Sequence, residues 1–288
     1  MHEEFIERFN NYECIKKNDT DDIVELSHYT ANSEALINIC KGKFRATDIM
    51  DFGDKLEGKL ILKRVNEIIL NLNMFSDNQL KCVNEIIGKD YKINEFINNH
   101  RTFVLSMCLD TNCEYLWKNY AKEDGYNIIF NKKRFIDSIC FYTQKDEKRD
   151  KKYIKHSKII YDTNEQEKII EEEIRDLLSI VAFDIGEMKK ISLILRHLMY
   201  VGNFYKEECR YKEEKEYRVL INTAIPTEKC KEIEQMLPKY CTNDKTGKHY
   251  TDLHFDRNSI KTIVCSSENA KKEIEKVITD IPIILKTK

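Results

Sequence analysis

Three prolines and eight glycines in 288 residues leave little material for tight-turn repeats, collagen-like order or proline-rich linkers. Charge of one sign is also missing: 48 Lys and Arg stand against 50 Asp and Glu, a formal net charge of −2. That balance gives no general support to a nucleic-acid partner or an acidic membrane surface. Basic stretches such as Lys145 to Lys152 carry acids as well and read as solvated loop. No apolar run approaches the ~18 residues a membrane span needs, so no membrane partner is expected. The opening Met-His-Glu-Glu-Phe-Ile-Glu-Arg has neither the basic nor the apolar part of a secretory leader. Ten cysteines are scattered with no Cys-x-x-Cys pair, several of them inside apolar runs (Cys40, Cys82, Cys108, Cys140, Cys265). These features predict free thiols in a reducing, cytoplasmic setting.

Several catalytic signatures are absent too. There is no Gly-x-x-x-x-Gly-Lys-Ser/Thr, no Gly-x-Gly-x-x-Gly after a strand and no Gly-x-Ser-x-Gly. Walker, Rossmann and nucleophile-elbow sites are thereby excluded. His249 and His254 are five apart, as are Cys108 and Cys113, but neither pair has a second pair at structural-zinc spacing. No metal site is predicted.

What is there reads as an α+β chain. Leu26 to Thr30 suits a short strand, Asn32 or Ser33 an N-cap, and Leu36, Ile39 and Cys40 a helix that Gly42 ends. Residues 59–100 and 165–201 have helical periodicity and read as helical segments or insertions in a single domain spanning 1–288. Phe103 to Leu109 is apolar enough for a central strand with both faces covered, in which Ser106 is expected to pack. A helix is expected over 114–121, with strands at 126–130, 217–221, 260–265 and 281–285 and a helix at 268–278. Residues 143–164 and 240–258 read as loops. The second His-Tyr-Thr, at His249, falls in the latter and is read as coincidence.

Polar residues gather at strand ends. Glu214-Lys215-Glu216-Tyr217-Arg218 leads into an apolar strand, and alternation would put Glu214 and Glu216 on one face. Two carboxylates so placed repel unless a cation, proton or ligand hydroxyl lies between them, which suits acid–base work. The plainer reading is a surface Glu-Lys-Glu ladder.

The spaced motifs His28-Tyr29-Thr30, Phe52-Gly53-Asp54-Lys55-Leu56-Glu57, Val104-Leu105-Ser106, Trp117-Lys118-Asn119-Tyr120-Ala121 and Glu214 to Arg218 resemble, in order, a widespread bacterial family known as a domain of unknown function. That family has Phe-Asn-Asp-Pro-x-Glu at the second position, from which Gly53 and Lys55 depart. More distantly, an early His, a middle aromatic or Ser and a late Glu are similar to the layout of ADP-ribosyltransferases. The likeness implies a split mixed or antiparallel β-sheet, with NAD bound in its cleft and a mainly helical insertion. It implies NAD-dependent ADP-ribosyl transfer or NAD hydrolysis, in a bacterial toxin-like or phage-defence setting, and leaves the acceptor open. His28 with Tyr29, Thr30, Ser106 and Tyr120 would bind the dinucleotide: His28 on ribose hydroxyls, Tyr29 or Tyr120 on the nicotinamide ring. Glu216 or Glu214 would be catalytic. Trp117, Asp54, Glu57 and Arg218 would be structural support, Arg218 pairing with Asp54 or Glu57. Two alternatives stand beside this reading. One is a non-catalytic nucleotide-sensing or protein-interaction module. The other is a metal-dependent nuclease using Asp54, Glu57, Glu214 and Glu216 around magnesium.

Overall fold

Strand β1 (Glu25–Thr30) buries Leu26, Ser27 and Tyr29 and hands over to a helix at Asn32, whose side chain accepts the Ala35 N–H at 3.0 Å. The structure is a computed structural model and describes residues 22–53, 60–71, 75–87, 101–150, 154–180, 186–222 and 238–287. Helix Ser33–Cys40 ends at Gly42, where φ is +81° and a Cβ would stand 2.7 Å from the Phe255 carbonyl. Only glycine meets both conditions.

The chain divides into two compact units. One comprises Thr20–Asp51, Thr102–Lys158 and Tyr211–Lys288 and carries a mixed, largely antiparallel sheet. Its further strands are β2 (Lys43–Asp48), β3 (Thr102–Cys108), β4 (Tyr126–Asn131), β5 (Cys140–Tyr142), β6 (Lys148–Arg149), β7 (Ile154–Lys158), β8 (Glu216–Asn222), β9 (Tyr240–Thr242), β10 (His249–His254), β11 (Ile260–Cys265) and β12 (Ile283–Leu285). Only β11 and β12 pair in parallel among the described strands.

Strand β3 is where the sheet forks. One edge pairs along its whole length with β8, from Thr102↔Asn222 to Cys108↔Glu216. The other edge takes β1 at one end (Ser27↔Cys108) and β2 at the other (Thr47↔Val104, Asp48↔Phe103). Between them, Leu105, Ser106 and Met107 have no strand partner on that edge among the described residues. The β1 arm continues through β4 and β11 to β12, and the β2 arm through β10 to β5 and β6.

One face of the sheet packs against helices Ser33–Cys40, Lys132–Ser138 and Glu268–Glu275. At its centre Phe44, Phe130, Phe135 and Phe255 meet pairwise at centroid distances of 5.2 to 6.0 Å. Rings in tilted and edge contact add specific attraction to their burial. A smaller cluster of Tyr29, Cys108, Cys113, Leu116, Trp117 and Ala121 forms separately from it.

The second unit comprises Phe52–Arg101 and Ile159–Arg210, with residues 1–19 outside those described. Helices Leu60–Asn71, Asp77–Ile87, Thr163–Ile180 and Glu187–Val201 lie there. Ile170, Ile174 and Leu177 are fully buried at helical spacing, and His197 Nε2 lies 3.1 Å from Glu173 Oε2 in the same interior. Among the described residues no helix is long and apolar enough to cross a membrane.

Two expected loops are strands. The charged stretch 143–164 contains β6 and β7, and β7 lies against β8 from Ile154↔Ile221 to Lys158↔Tyr217. Its Lys and His side chains hide a strand that buries Ile154 on one face and Ser157 on the other. The stretch 240–258 contains β9 and β10, in which Thr251 and Leu253 point inward. His249-Tyr250-Thr251 is therefore sheet, not loop. The expected helix over 114–121 is one turn, Glu114–Leu116, followed by a π-turn, Trp117–Ala121.

Candidate functional site

Residues on directly paired Cα positions share a face of the sheet. Along one face Ser27, Cys108 and Glu216 form a row across β1, β3 and β8. The next row is Ser106, Arg218 and Ser157, across β3, β8 and β7. Ser106 is exposed although its strand neighbours are buried, contrary to the expectation that it packs. Both faces of β3 are thus not covered throughout. The buried hydroxyls of Ser27 and Ser157 have no hydrogen-bond partner among the described residues.

Arg218 has no solvent exposure and Glu216 is 3% exposed. Arg218 donates from Nε to Glu216 Oε1 at 2.8 Å and from an η nitrogen to Oε2 at 3.3 Å. Asp54 and Glu57, the expected partners of Arg218, lie outside the described residues. Separating a buried ion pair leaves an uncompensated charge, at a cost of about 3–5 kcal/mol.

Glu214 and Glu216 do not share a strand face. Strand β8 begins at Glu216, and Glu214 closes a 3₁₀ turn, Lys212–Glu214. Lys215 between them adopts φ 46°, ψ 48°, which breaks the alternation. Its carbonyl accepts the Leu109 N–H at 2.9 Å and its Nζ donates to Asp110 Oδ2 at 2.7 Å, so the turn is braced against the end of β3. Burial alone would raise the Asp110 carboxyl; the bonds from Lys215 and the Asn112 N–H outweigh it and hold that carboxyl below its usual range.

Tyr120 reaches the same turn from the other side. It is 49% exposed, and its hydroxyl donates to Glu214 Oε1 at 3.0 Å. Desolvation, then the charges of Glu214 and Glu216, push the phenol far above its ordinary value, so it stays a donor. The backbone that presents it is unusual. Lys122, directly after the π-turn, sits at φ 62°, ψ −153°, and a Cβ on Gly125 would stand 1.9 Å from the Ala121 carbonyl. Such conformations cost about 1–3 kcal/mol for a non-glycine residue and concentrate at functional sites.

Tyr29 has another occupation. Its hydroxyl donates to the Asp110 carbonyl at 3.0 Å and accepts the Cys113 N–H at 2.9 Å, and its ring meets Trp117 edge-on at 5.3 Å. At 6% exposure it anchors the loop after β3, and Tyr120 is the aromatic left to solvent. Trp117 is buried with its indole N–H unpartnered among the described residues. The Thr30 hydroxyl accepts the Asn32 N–H at 3.0 Å, a local turn contact ahead of the helix.

His28 lies at the fork. Alternation along β1 puts it on the face opposite Cys108 and Glu216, where its ring meets Phe44 edge-on at 5.0 Å. Nδ1 nevertheless reaches the Ser106 carbonyl at 3.1 Å, filling the edge of β3 that neither β1 nor β2 pairs. A carbonyl accepts, so Nδ1 carries the proton and Nε2 offers a lone pair. Desolvation lowers the imidazole pKa against the raising effect of that bond, which favours this neutral form. His28 and Glu216 are linked through Ser106 and its neighbour Arg218, from opposite faces of the sheet.

Asp48, Asp51 and His249 form a group that reading the sequence missed. Their ligand-type atoms all lie within 4.8 Å of one another, and His249 Nδ1 is 2.9 Å from Asp51 Oδ2. This donor set is of a kind that can hold a divalent ion. The Asp-x-x-Asp spacing was visible in the sequence, but its proximity to His249 depends on β2 pairing with β10.

No protein-family model, no curated protein and no solved structure matches the chain. The resemblance to the bacterial family therefore rests on the spaced motifs.

Proposed function

We propose that this protein acts on NAD by ADP-ribosyl transfer or NAD hydrolysis, on an ADP-ribosyltransferase-like split sheet, and that it is a divergent member of the family its motifs resemble. The observation that carries the reading is the fork at β3. It connects His28 on one face of the sheet, through the Ser106 carbonyl and the Ser106↔Arg218 pair, to Arg218 and Glu216 on the other, with Tyr120 and Glu214 at the adjoining turn. In this reading the bond from the ribose C1′ to the nicotinamide nitrogen breaks. Nicotinamide leaves with the bonding pair, and the acceptor's nucleophile or water adds at C1′ and gives up its proton. Neutral His28 accepts a hydrogen bond from a ribose hydroxyl, half-exposed Tyr120 offers a face to the nicotinamide ring, and a carboxylate offsets the oxocarbenium-like charge. A toxin-like or phage-defence role would suit an enzyme that consumes or transfers part of NAD.

The test is incubation of the purified full chain with NAD, with chromatographic measurement of nicotinamide and ADP-ribose, with and without cell-lysate acceptors. Release that disappears in a Glu214→Gln/Glu216→Gln double variant of unchanged circular dichroism is the expected result. Intact NAD under all these conditions overturns the reading. A second reading, nucleotide sensing without turnover, is favoured by one observation: both glutamates are already engaged by the protein's own Tyr120 and Arg218. NAD binding with no product would select it.

A further inference from the structure

The two glutamates of the Glu-Lys-Glu turn are held in different ways, and the difference assigns them different work. Glu216 is gripped at both oxygens by a fully buried guanidinium on its own strand. A ligand that took Glu216 would have to break both of these bonds from a buried guanidinium. Glu214 is buried as well, at 8% exposure, but an oxygen of its carboxylate is bonded by a phenol that is half in solvent. Opening the Tyr120 bond moves one half-exposed side chain and leaves the Arg218–Glu216 pair intact. A ligand hydroxyl then takes the phenol's place on Glu214 with a hydrogen bond of the same kind. Both partners are presented by left-handed or glycine-like backbone, Lys122 on one side and Lys215 on the other.

We propose that Tyr120 is a latch on Glu214, and that Glu214, rather than Glu216, is the carboxylate offered to a hydroxyl-bearing ligand such as a ribose. Glu216 and Arg218 are then a positioning pair that fixes the start of β8 and so the turn holding Glu214. This assignment rests on the ribosyl-transfer reading and specifies how access to its site is regulated. In the closed state the phenol occupies the acceptor the sugar needs, so the apparent affinity of the free protein is reduced by the fraction of time the latch is open.

The test uses the full chain and NAD, with initial rates across substrate concentration for wild type and Tyr120→Phe, Glu214→Gln and Glu216→Gln. Tyr120→Phe keeps the ring and removes only the latch bond; KM for NAD is expected to fall about threefold or more, with kcat changed less than that. Glu214→Gln is expected to lower kcat about 100-fold or more at near-unchanged KM, as for loss of a group that acts on the transition state. Glu216→Gln is expected to lose stability to urea and to retain more of kcat than Glu214→Gln. Trp117, the one tryptophan of the chain, sits in the same π-turn and reports by fluorescence whether a variant keeps the local fold. An unchanged or raised KM in Tyr120→Phe overturns the latch. Near-wild-type kcat in Glu214→Gln with kcat lost in a folded Glu216→Gln overturns the assignment. Either result leaves NAD turnover by the wild type standing. Wild-type protein that leaves NAD intact overturns the ribosyl-transfer reading itself, and the assignment falls with it.

Discussion

The Arg218 guanidinium, with no exposure to solvent, holds both carboxylate oxygens of Glu216, two residues earlier on the same strand. Such a pair is weak evidence of net stabilisation, but removing half of it is costly. Arg218→Met is expected to lower unfolding free energy by about 3–5 kcal/mol, and Arg218→Met/Glu216→Leu to recover most of that loss. Urea titration of the two variants measures it; a double variant as unstable as the single one would contradict the account.

Tyr29 ties β1 to the loop after β3 with two hydrogen bonds through one oxygen. Tyr29→Phe keeps the ring on Trp117 and leaves the buried Cys113 N–H unpaired. The expected loss is about 1–3 kcal/mol, the cost of an unsatisfied buried group, read by thermal or urea unfolding. Unchanged stability would mean that the hydroxyl does not anchor this loop.

His28 links stability to pH. Its pKa is lowered from the ordinary 6.5 by desolvation, so the unfolded chain binds a proton more readily than the folded one. The stabilisation from a neutral His28 is fully present above 6.5 and is lost as pH falls toward the depressed folded value. His28→Asn retains a donor for the Ser106 carbonyl and does not titrate. Its stability is expected to fall less steeply than wild type's as pH drops below 6.5. Parallel slopes in urea titrations on either side of that pH would sink the idea.

The thiols should sort by environment. Cys209 and Cys241 are exposed, whereas Cys40, Cys108, Cys113, Cys140 and Cys265 are buried. Burial pushes Cys40 and Cys108 up to about 12 and Cys265 to about 11, leaving almost no thiolate at pH 8. Alkylation of the native protein followed by peptide mass spectrometry should mark Cys209 and Cys241 early and the buried cysteines only on unfolding. Early labelling of Cys108 would show that the end of β3 opens.

Much of the local architecture was legible along the chain. Asn32 caps its helix, and Gly42 takes the left-handed position that ends it. Each depends on neighbours within four residues, and the same holds for the helical stripe of Ile170, Ile174 and Leu177. The α+β class followed from these periods. Strands β7 and β10 were hidden because their half-buried positions carry Lys, His and Asp while their partners, β8 and β2, are distant in sequence.

The sequence by itself determined which residues could matter, since the spaced motifs already named His28, Ser106, Tyr120, Glu214, Glu216 and Arg218. Only the tertiary structure decided what each one touches. Alternation from Glu214 to Glu216 fails because Lys215 takes a left-handed conformation, braced by Leu109 and Asp110 just past the end of β3, more than a hundred residues earlier. Strand β3 is open at Ser106 because β1 and β2 pair with its two ends and diverge between them, leaving His28 to fill the edge. Arg218 finds Glu216 in an interior that excludes water, and Tyr120 finds Glu214 at the border of one. Periodicity and capping are short-range and can be read along a chain. Register, burial and the choice of ion-pair partner arise from contacts between distant segments, and only the folded protein sets them.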